Sequence, residues 1–445
     1  MSNNEMYDQE EDRREYRHKR RVRNQIIAYI VTLFLLAGII VAAAFGIKYV
    51  VSEIEDKKHA EELQQQLEEL AEMEVEAPVI EAPVEEPEAT EAPVEEKSYL
   101  DEIVDACIAE MPLEDKVAGL FVITPEALTG TTKAIKAGDT TKEKLGEYAV
   151  GGLVYDADNM QSKEQLTEML DNTKKYSKYP IFLGVDEEGG DVSRVAQSGL
   201  AENVGDAAEI GASGDAQKAK DAGAAVGTYL SGYGFNLNFA PVADINVVES
   251  SIIGDRAYGS DPAQVGTMVA ANVEGMQETG VSACLKHFPG IGSTSEDTHA
   301  GMAGSERTVE EFNQAEFTVF QSGIDAGAQM VMVSHLSVPG ITGDNTPSSL
   351  SAIVITDILR GQLGYNGIVI TDAMDIAAVT AYYTSDQAAV MALSAGADMI
   401  LMPEDFEAAY NGVLEAVNNG TLTEERIDES LRRIFRVKYK DKVEQ

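Results

Sequence analysis

From about Ser98 to the C-terminus, short apolar runs alternate with stretches of helical periodicity, and this rhythm constrains the fold more than any other feature of the chain. The runs are Ala118–Thr124, Gly151–Tyr155, Ile181–Val185, Leu237–Pro241, Ser282–Lys286, Met330–Ser334, Ile368–Thr371 and Met399–Met402, eight in all. Between them, Asp206–Leu230, Pro262–Glu278, Val309–Ala326 and Ile376–Ala395 carry helical spacing. Eight βα units across residues 98–445 fit the size and rhythm of an α/β fold of the (β/α)8 TIM-barrel type. A doubly wound open sheet is the alternative. It would carry a Gly-rich fingerprint after its first strand, and Val122-Ile123-Thr124-Pro125 is nothing like one.

The first 97 residues follow other rules. Residues 1–24 are polar and contain Arg13, Arg14, Arg17, Lys19, Arg20, Arg21 and Arg23. Ile26–Ile47 then runs 22 residues without a charge, which is long enough to cross a bilayer as a helix. A transmembrane helix is therefore expected over residues 25–48, retained rather than cleaved. The basic cluster puts residues 1–24 in the cytoplasm and everything after Lys48 outside the cell, anchored to the membrane. Ala42-Ala43-Ala44 leaves a cleavage site open. Residues 49–97 read as a short juxtamembrane helix followed by a spacer that repeats Glu-Ala-Pro-Val at Glu76–Val79, Glu81–Val84 and Glu91–Val94. Alternating Pro and Glu cannot bury a core, so this spacer is expected to be disordered and extended.

The net charge of −42 supplies no basic stripe for phosphates, which argues against a nucleic-acid partner. With 44% apolar residues a sizeable core can form, and the two cysteines, Cys107 and Cys284, make no disulfide framework.

Polar residues collect where the apolar runs end. Asp186-Glu187-Glu188-Gly189-Gly190-Asp191-Val192-Ser193-Arg194 follows the third run, and Asp244 and Gly254-Asp255-Arg256 follow the fourth. The fifth leads into Lys286-His287-Phe288-Pro289-Gly290 and Asp297-Thr298-His299, the sixth into His335, and the seventh into Asp372 and Asp375. Barrel enzymes place their chemistry on this carboxyl face. Each residue also has a plainer reading. Asp375 would cap the helical run starting at Ile376, His335 would be a supporting or core histidine, and Lys286 and His287 would be a satisfied pair at a strand end. Glu187 and Glu188 point opposite ways, so at most one faces a site. Asp372 directly follows an all-apolar strand and should project into the barrel mouth.

The stretch Lys286-His287-Phe288-Pro289-Gly290-Ile291-Gly292 with Asp297-Thr298-His299 resembles the hallmark of the β-N-acetylglucosaminidase branch of glycoside hydrolase family 3. The resemblance covers most of residues 98–440, including Asp186–Arg194, Asn238–Asp244, Gly254–Arg256 and Thr371–Met374, and departs at Ile291, where the family more often has His. It implies a retaining, exo-acting hydrolysis of β-linked N-acetylglucosamine; the expected extracellular position on a stalk suggests peptidoglycan fragments or related glycans as the source. Asp372 would be the nucleophile and His299 the acid/base, with Asp297 orienting His299. Asp186, Arg194, Arg256, Lys286 and His287 would bind the sugar, and no metal or organic cofactor would be needed. Alternatives are a phosphorylase of the same family, a metal-dependent hydrolase using Asp297, His299, His335 and Asp372, and a non-catalytic glycan-binding barrel.

Overall fold

The structure is a computed structural model that describes residues 98–248, 250–296 and 301–443. Eight parallel strands close into a barrel: β1 (Phe121–Ile123), β2 (Gly152–Tyr155), β3 (Phe182–Val185), β4 (Leu237–Asn238), β5 (Ser282–Phe288), β6 (Met330–Val333), β7 (Ile368–Ala373) and β8 (Met399–Leu401). Each pairs with the next in sequence, and β8 returns to β1 through Phe121↔Ile400 and Val122↔Leu401. Every one of the eight apolar runs contains or overlaps one of these strands. Nearly every strand residue is buried, because helices cover the outside and side chains fill the inside. β7 breaks the pattern: its first four residues are buried and its last two, Asp372 and Ala373, emerge at the mouth.

Of the helical runs, Pro262–Glu278 is one helix, Pro262–Gln277, whereas Val309–Ala326 divides into Val309–Asn313 and Glu316–Asp325 and the other two are also broken. Asp206–Leu230 divides into Ala207–Ala212 and Ala216–Tyr233, because Gly214 adopts φ +65° and the Asp215 side chain accepts from Gln217 N to start the second helix. Ile376–Ala395 divides into Ala377–Thr380 and Ser385–Ala395, the latter opened by a Thr384–Gln387 capping box. The N-cap of the former is Ile376, so Asp375 is not the cap expected of it. Ile353–Gln362 is π-helical, a form its composition does not announce.

The fold expectation needs a correction at its N-terminal end. Among the described residues no helix is long and apolar enough to cross a membrane. The longest, Glu424–Val443, has 20 residues with charges throughout. The segments 1–24, 25–48 and 49–97, for which a cytoplasmic tail, a transmembrane helix and a linker were expected, lie outside the described residues.

The barrel carries its own N-terminal stop. Ser98 caps the helix Tyr99–Glu110 by accepting from Asp101 N, and that helix packs on Glu424–Val443 with Arg432–Asp105 and Arg436–Asp101 ion pairs at 3.0 and 2.6 Å. A chain beginning at Ser98 is therefore expected to melt with the full-length protein and to keep its activity. A calorimetric Tm lower by more than about 3 °C, roughly 1 kcal/mol for a domain of this size, would show that residues 1–97 stabilise the barrel.

Candidate active site

At the carboxyl ends of the strands lies a cavity of about 620 Å³. Asp186, Arg194, Arg256, Lys286, His287 and Asp372 all line it, so six of the eight candidate residues converge on one space. The other two, Asp297 and His299, lie outside the described residues, although Glu296 immediately before them lines the cavity.

Lys286, near the end of β5, is only 3% exposed, and its Nζ sits 2.5 Å from Asp186 Oδ1 and 2.6 Å from Glu188 Oε1. Arg256 approaches the same Glu188 with a fork, Nε to Oε2 and Nη2 to Oε1, both at 2.8 Å. Two cations and two carboxylates thus share one wall. Burial disfavours the Glu188 carboxylate, but Lys286 and Arg256 outweigh it and bring its pKa down to about 2. Burial likewise disfavours the Lys286 ammonium, and Asp186 with Glu188 outweighs it, so its pKa stands above the ordinary value.

A small hairpin delivers Glu188. Glu187–Gly189 pairs with Val192–Ser193, and the chain reverses through Gly189 and Gly190 at φ +106° and +55°. A Cβ on Gly190 would lie 2.0 Å from Asp206 Oδ1, so the turn has no room for a side chain. Asn238 of β4 pins the hairpin, accepting from Glu187 N at 3.0 Å and donating to Glu187 O at 2.8 Å. The two glutamates do point opposite ways. Glu187 is buried under the helix Arg194–Gln197, where it accepts from Val195 N, Ala196 N and Tyr229 Oη at 2.7, 3.0 and 2.9 Å. It thereby fixes the turn carrying Arg194, whose Nε lies 3.2 Å from Asp156 Oδ2.

His287 faces the cavity from the next position of β5, joined to Lys286 by a cis peptide. Its Nδ1 is 2.7 Å from Oδ2 of the fully buried Asp244. Across the mouth, Asp372 accepts from Ala373 N at 2.8 Å. Burial works against its charge, but the electrostatic effect of the neighbouring His287 and His335, that amide and Lys286 prevail, holding its carboxyl below the ordinary aspartate value. His335 is fully buried and holds the end of β7 in place. Its Nε2 donates to Ala373 O at 2.9 Å, and its Nδ1 is 2.6 Å from Ser349 Oγ. Beside the end of β7, Met402 follows β8 with φ +46°, a left-handed conformation that a non-glycine residue seldom adopts, and it too lines the cavity. Among the described residues no group of three or more His, Cys, Asp and Glu is placed to hold a metal ion.

Glu188 and Asp244 are the members that the sequence reading left without a role. A chain position inside Asp186–Arg194 was the available signal for Glu188. For Asp244 the signal was its place directly after the fourth strand.

The ion cluster sets an acid limit on stability. Glu188 titrates at about 2 when folded and near about 4.3 when unfolded, a difference on the order of 3 kcal/mol. A depressed carboxyl contributes fully above its unfolded value and loses that contribution as pH falls through the folded one. Glu188→Gln should therefore lower the melting temperature at pH 7, and the gap to wild type should narrow steadily between about pH 4 and pH 2. A gap that stays constant across that window would show that Glu188 carries no net charge interaction.

Residues 112–437 match the family profile described as "Glycosyl hydrolase family 3 N terminal domain". The chain is 30% identical to Beta-hexosaminidase A of Pseudoalteromonas piscicida, over 67% of this chain and 54% of that protein. It is 33% identical to a Beta-hexosaminidase of Idiomarina loihiensis, over 62% of this chain and 82% of that one. Among solved structures it is similar to a glycoside hydrolase family 3 beta-N-acetylglucosaminidase from Paenibacillus sp. str. FPU-7, with a TM-score of 0.69 and 33% identity, covering 75% of this chain and 64% of that chain. The chain thus spans a little over half of the Pseudoalteromonas relative and under two thirds of the Paenibacillus one.

Proposed function

The chain belongs to glycosyl hydrolase family 3, and from that premise we propose that it is an exo-acting, retaining β-N-acetylglucosaminidase. The carrying observation is one cavity that holds a half-buried, charge-stabilised Asp372 opposite the Lys286–Asp186–Glu188–Arg256 cluster. The names of the relatives, beta-hexosaminidase and beta-N-acetylglucosaminidase, support the sugar.

In this reading the cluster grips the hydroxyls of a terminal sugar, since paired carboxylates and cations offer acceptors and donors side by side. Asp372 attacks the anomeric carbon as the bond to the leaving oxygen breaks, and His299 gives its proton to that oxygen. Water then loses a proton to His299 and attacks the same carbon, releasing the sugar and restoring the Asp372 carboxylate. Asp297 is assigned, from the family resemblance, the task of orienting His299.

The substrates we assign are β-linked N-acetylglucosaminides of peptidoglycan fragments or related glycans met outside the cytoplasm. A panel of chromogenic β-glycosides, with and without phosphate, tests the assignment. Preferred release from the N-acetylglucosaminide, with free sugar as product, supports it. Equal turnover of glucosides would overturn the sugar, and formation of sugar-1-phosphate would overturn hydrolysis. Loss of the activity when intact cells are treated with protease tests the location.

A further inference from the structure

Asp244 is fully buried just beyond β4 and does not line the cavity, yet everything it binds belongs to the segment that does. Its Oδ2 accepts from His287 N at 3.1 Å and meets His287 Nδ1 at 2.7 Å, while its Oδ1 accepts from Ile291 N at 2.7 Å. A carboxylate only accepts, so the ring nitrogen it meets must carry the hydrogen. With Nδ1 engaged below, Nε2 is the atom His287 offers to the cavity. The fit is close on both sides: Gly292 has no room for a Cβ, which would lie 1.8 Å from Ile245 O, directly after Asp244 in the chain.

We propose that Asp244 is a positioning residue of the reaction: it fixes the His287 ring with its hydrogen on Nδ1, so that Nε2 meets the sugar. The proposal rests on the reading of the cavity as a sugar site. Three acceptor bonds from one side chain determine both the ring plane of His287 and the backbone turn from 287 to 291 that supports it. A carboxylate–imidazole pair of this kind orients a ring at a cost to activity, when broken, of about 10- to 100-fold.

Nitrogen NMR of the histidine rings, assigned by the signal lost in His287→Ala, reads the arrangement directly in the ligand-free protein. The expected wild-type spectrum has the hydrogen on Nδ1 of His287. Asp244→Asn keeps the volume but offers an amide where a carboxylate stood, and the Nδ1–H signature should weaken or pass to Nε2. For an aryl N-acetylglucosaminide the same variant should raise KM about 10- to 100-fold with a much smaller change in kcat. In a His287→Ala background it should add less than about 2-fold, because the residue it acts through is gone. A wild-type His287 with its hydrogen on Nε2 alone would overturn the proposal, whether or not the variant folds. So would an equal loss in both backgrounds, which would make Asp244 a support of the turn and nothing more. A protein that turns over no N-acetylglucosaminide would sink the sugar reading instead, and the spectrum would still decide the role of Asp244.

Discussion

Asp372→Ala should lower turnover of a β-N-acetylglucosaminide by at least about 10³-fold, because the covalent route loses the atom that attacks. The fold should survive. The side chain stands half-buried at the end of β7 and makes a single described hydrogen bond, from the adjacent Ala373 N, so little packing is lost. Far-UV circular dichroism and a melting curve close to wild type would separate lost chemistry from lost structure. The lowered pKa of Asp372 adds a second reading of the same experiment. Asp372 is already ionised well below neutral pH, so an acid limb of kcat/KM lying between about pH 5 and 7 must belong to another group, with an imidazole the natural owner. A slowly turned-over fluorosugar should leave its mass on the peptide containing Asp372. Near-normal activity in Asp372→Ala, together with a dead Asp375→Ala, would assign the nucleophile to the wrong aspartate. A fluorosugar that leaves no covalent adduct would favour attack by the substrate's own acetamido group.

His299→Ala should discriminate between leaving groups. A disaccharide departs as a strongly basic alkoxide and needs a proton in the transition state, whereas a dinitrophenolate leaves without one. Loss of a general acid costs about 10²- to 10⁴-fold where protonation matters. We therefore expect disaccharide hydrolysis to fall by that order and dinitrophenyl glycoside cleavage to fall far less. Azide, which needs no base, should partly restore the second step and yield a glycosyl azide. Asp297→Asn should show the same pattern in milder form, since the proton carrier stays and only its orientation suffers. Equal losses on both substrates with no azide effect would make His299 a binding residue and turn attention to His287.

The barrel was legible because its strands are buried on both faces and most of them read as apolar runs, as Met399–Leu401 does throughout. The helix breaks were harder. The Ser213-Gly214-Asp215 interruption lies inside a run whose periodicity continues on both sides, and only the left-handed Gly214 decides the matter. The π-helical form of Ile353–Gln362 is likewise announced by no local pattern. At the site, the residues after β3, β5 and β7 could be placed in the mouth from strand ends alone. Glu188 could not be separated from Glu187, because the choice depends on the two glycines that turn the hairpin and on Asn238, some fifty residues away in the chain. Asp244 is hidden for another reason: it faces the back of the site, and only contact with His287 gives it a task.

The pairing of β8 with β1 has a consequence for the cell that makes this protein. Lys286 finds Asp186 across 100 residues of chain, Arg256 finds Glu188 across 68, and the first strand waits for the last before the ring closes. At ribosomal speeds of about 5–20 residues per second, tens of seconds pass between the emergence of β1 and that of β8. Throughout that interval β1 and the newest strand present unpaired edges that can join another chain, and a nascent chaperone has a defined surface to cover. For most of the same interval the cavity lacks the wall built from β7 and β8, of which Asp372 is itself a part. A partly made molecule therefore has an open mouth that still lacks Leu401 and Met402, two of the residues that line the finished cavity.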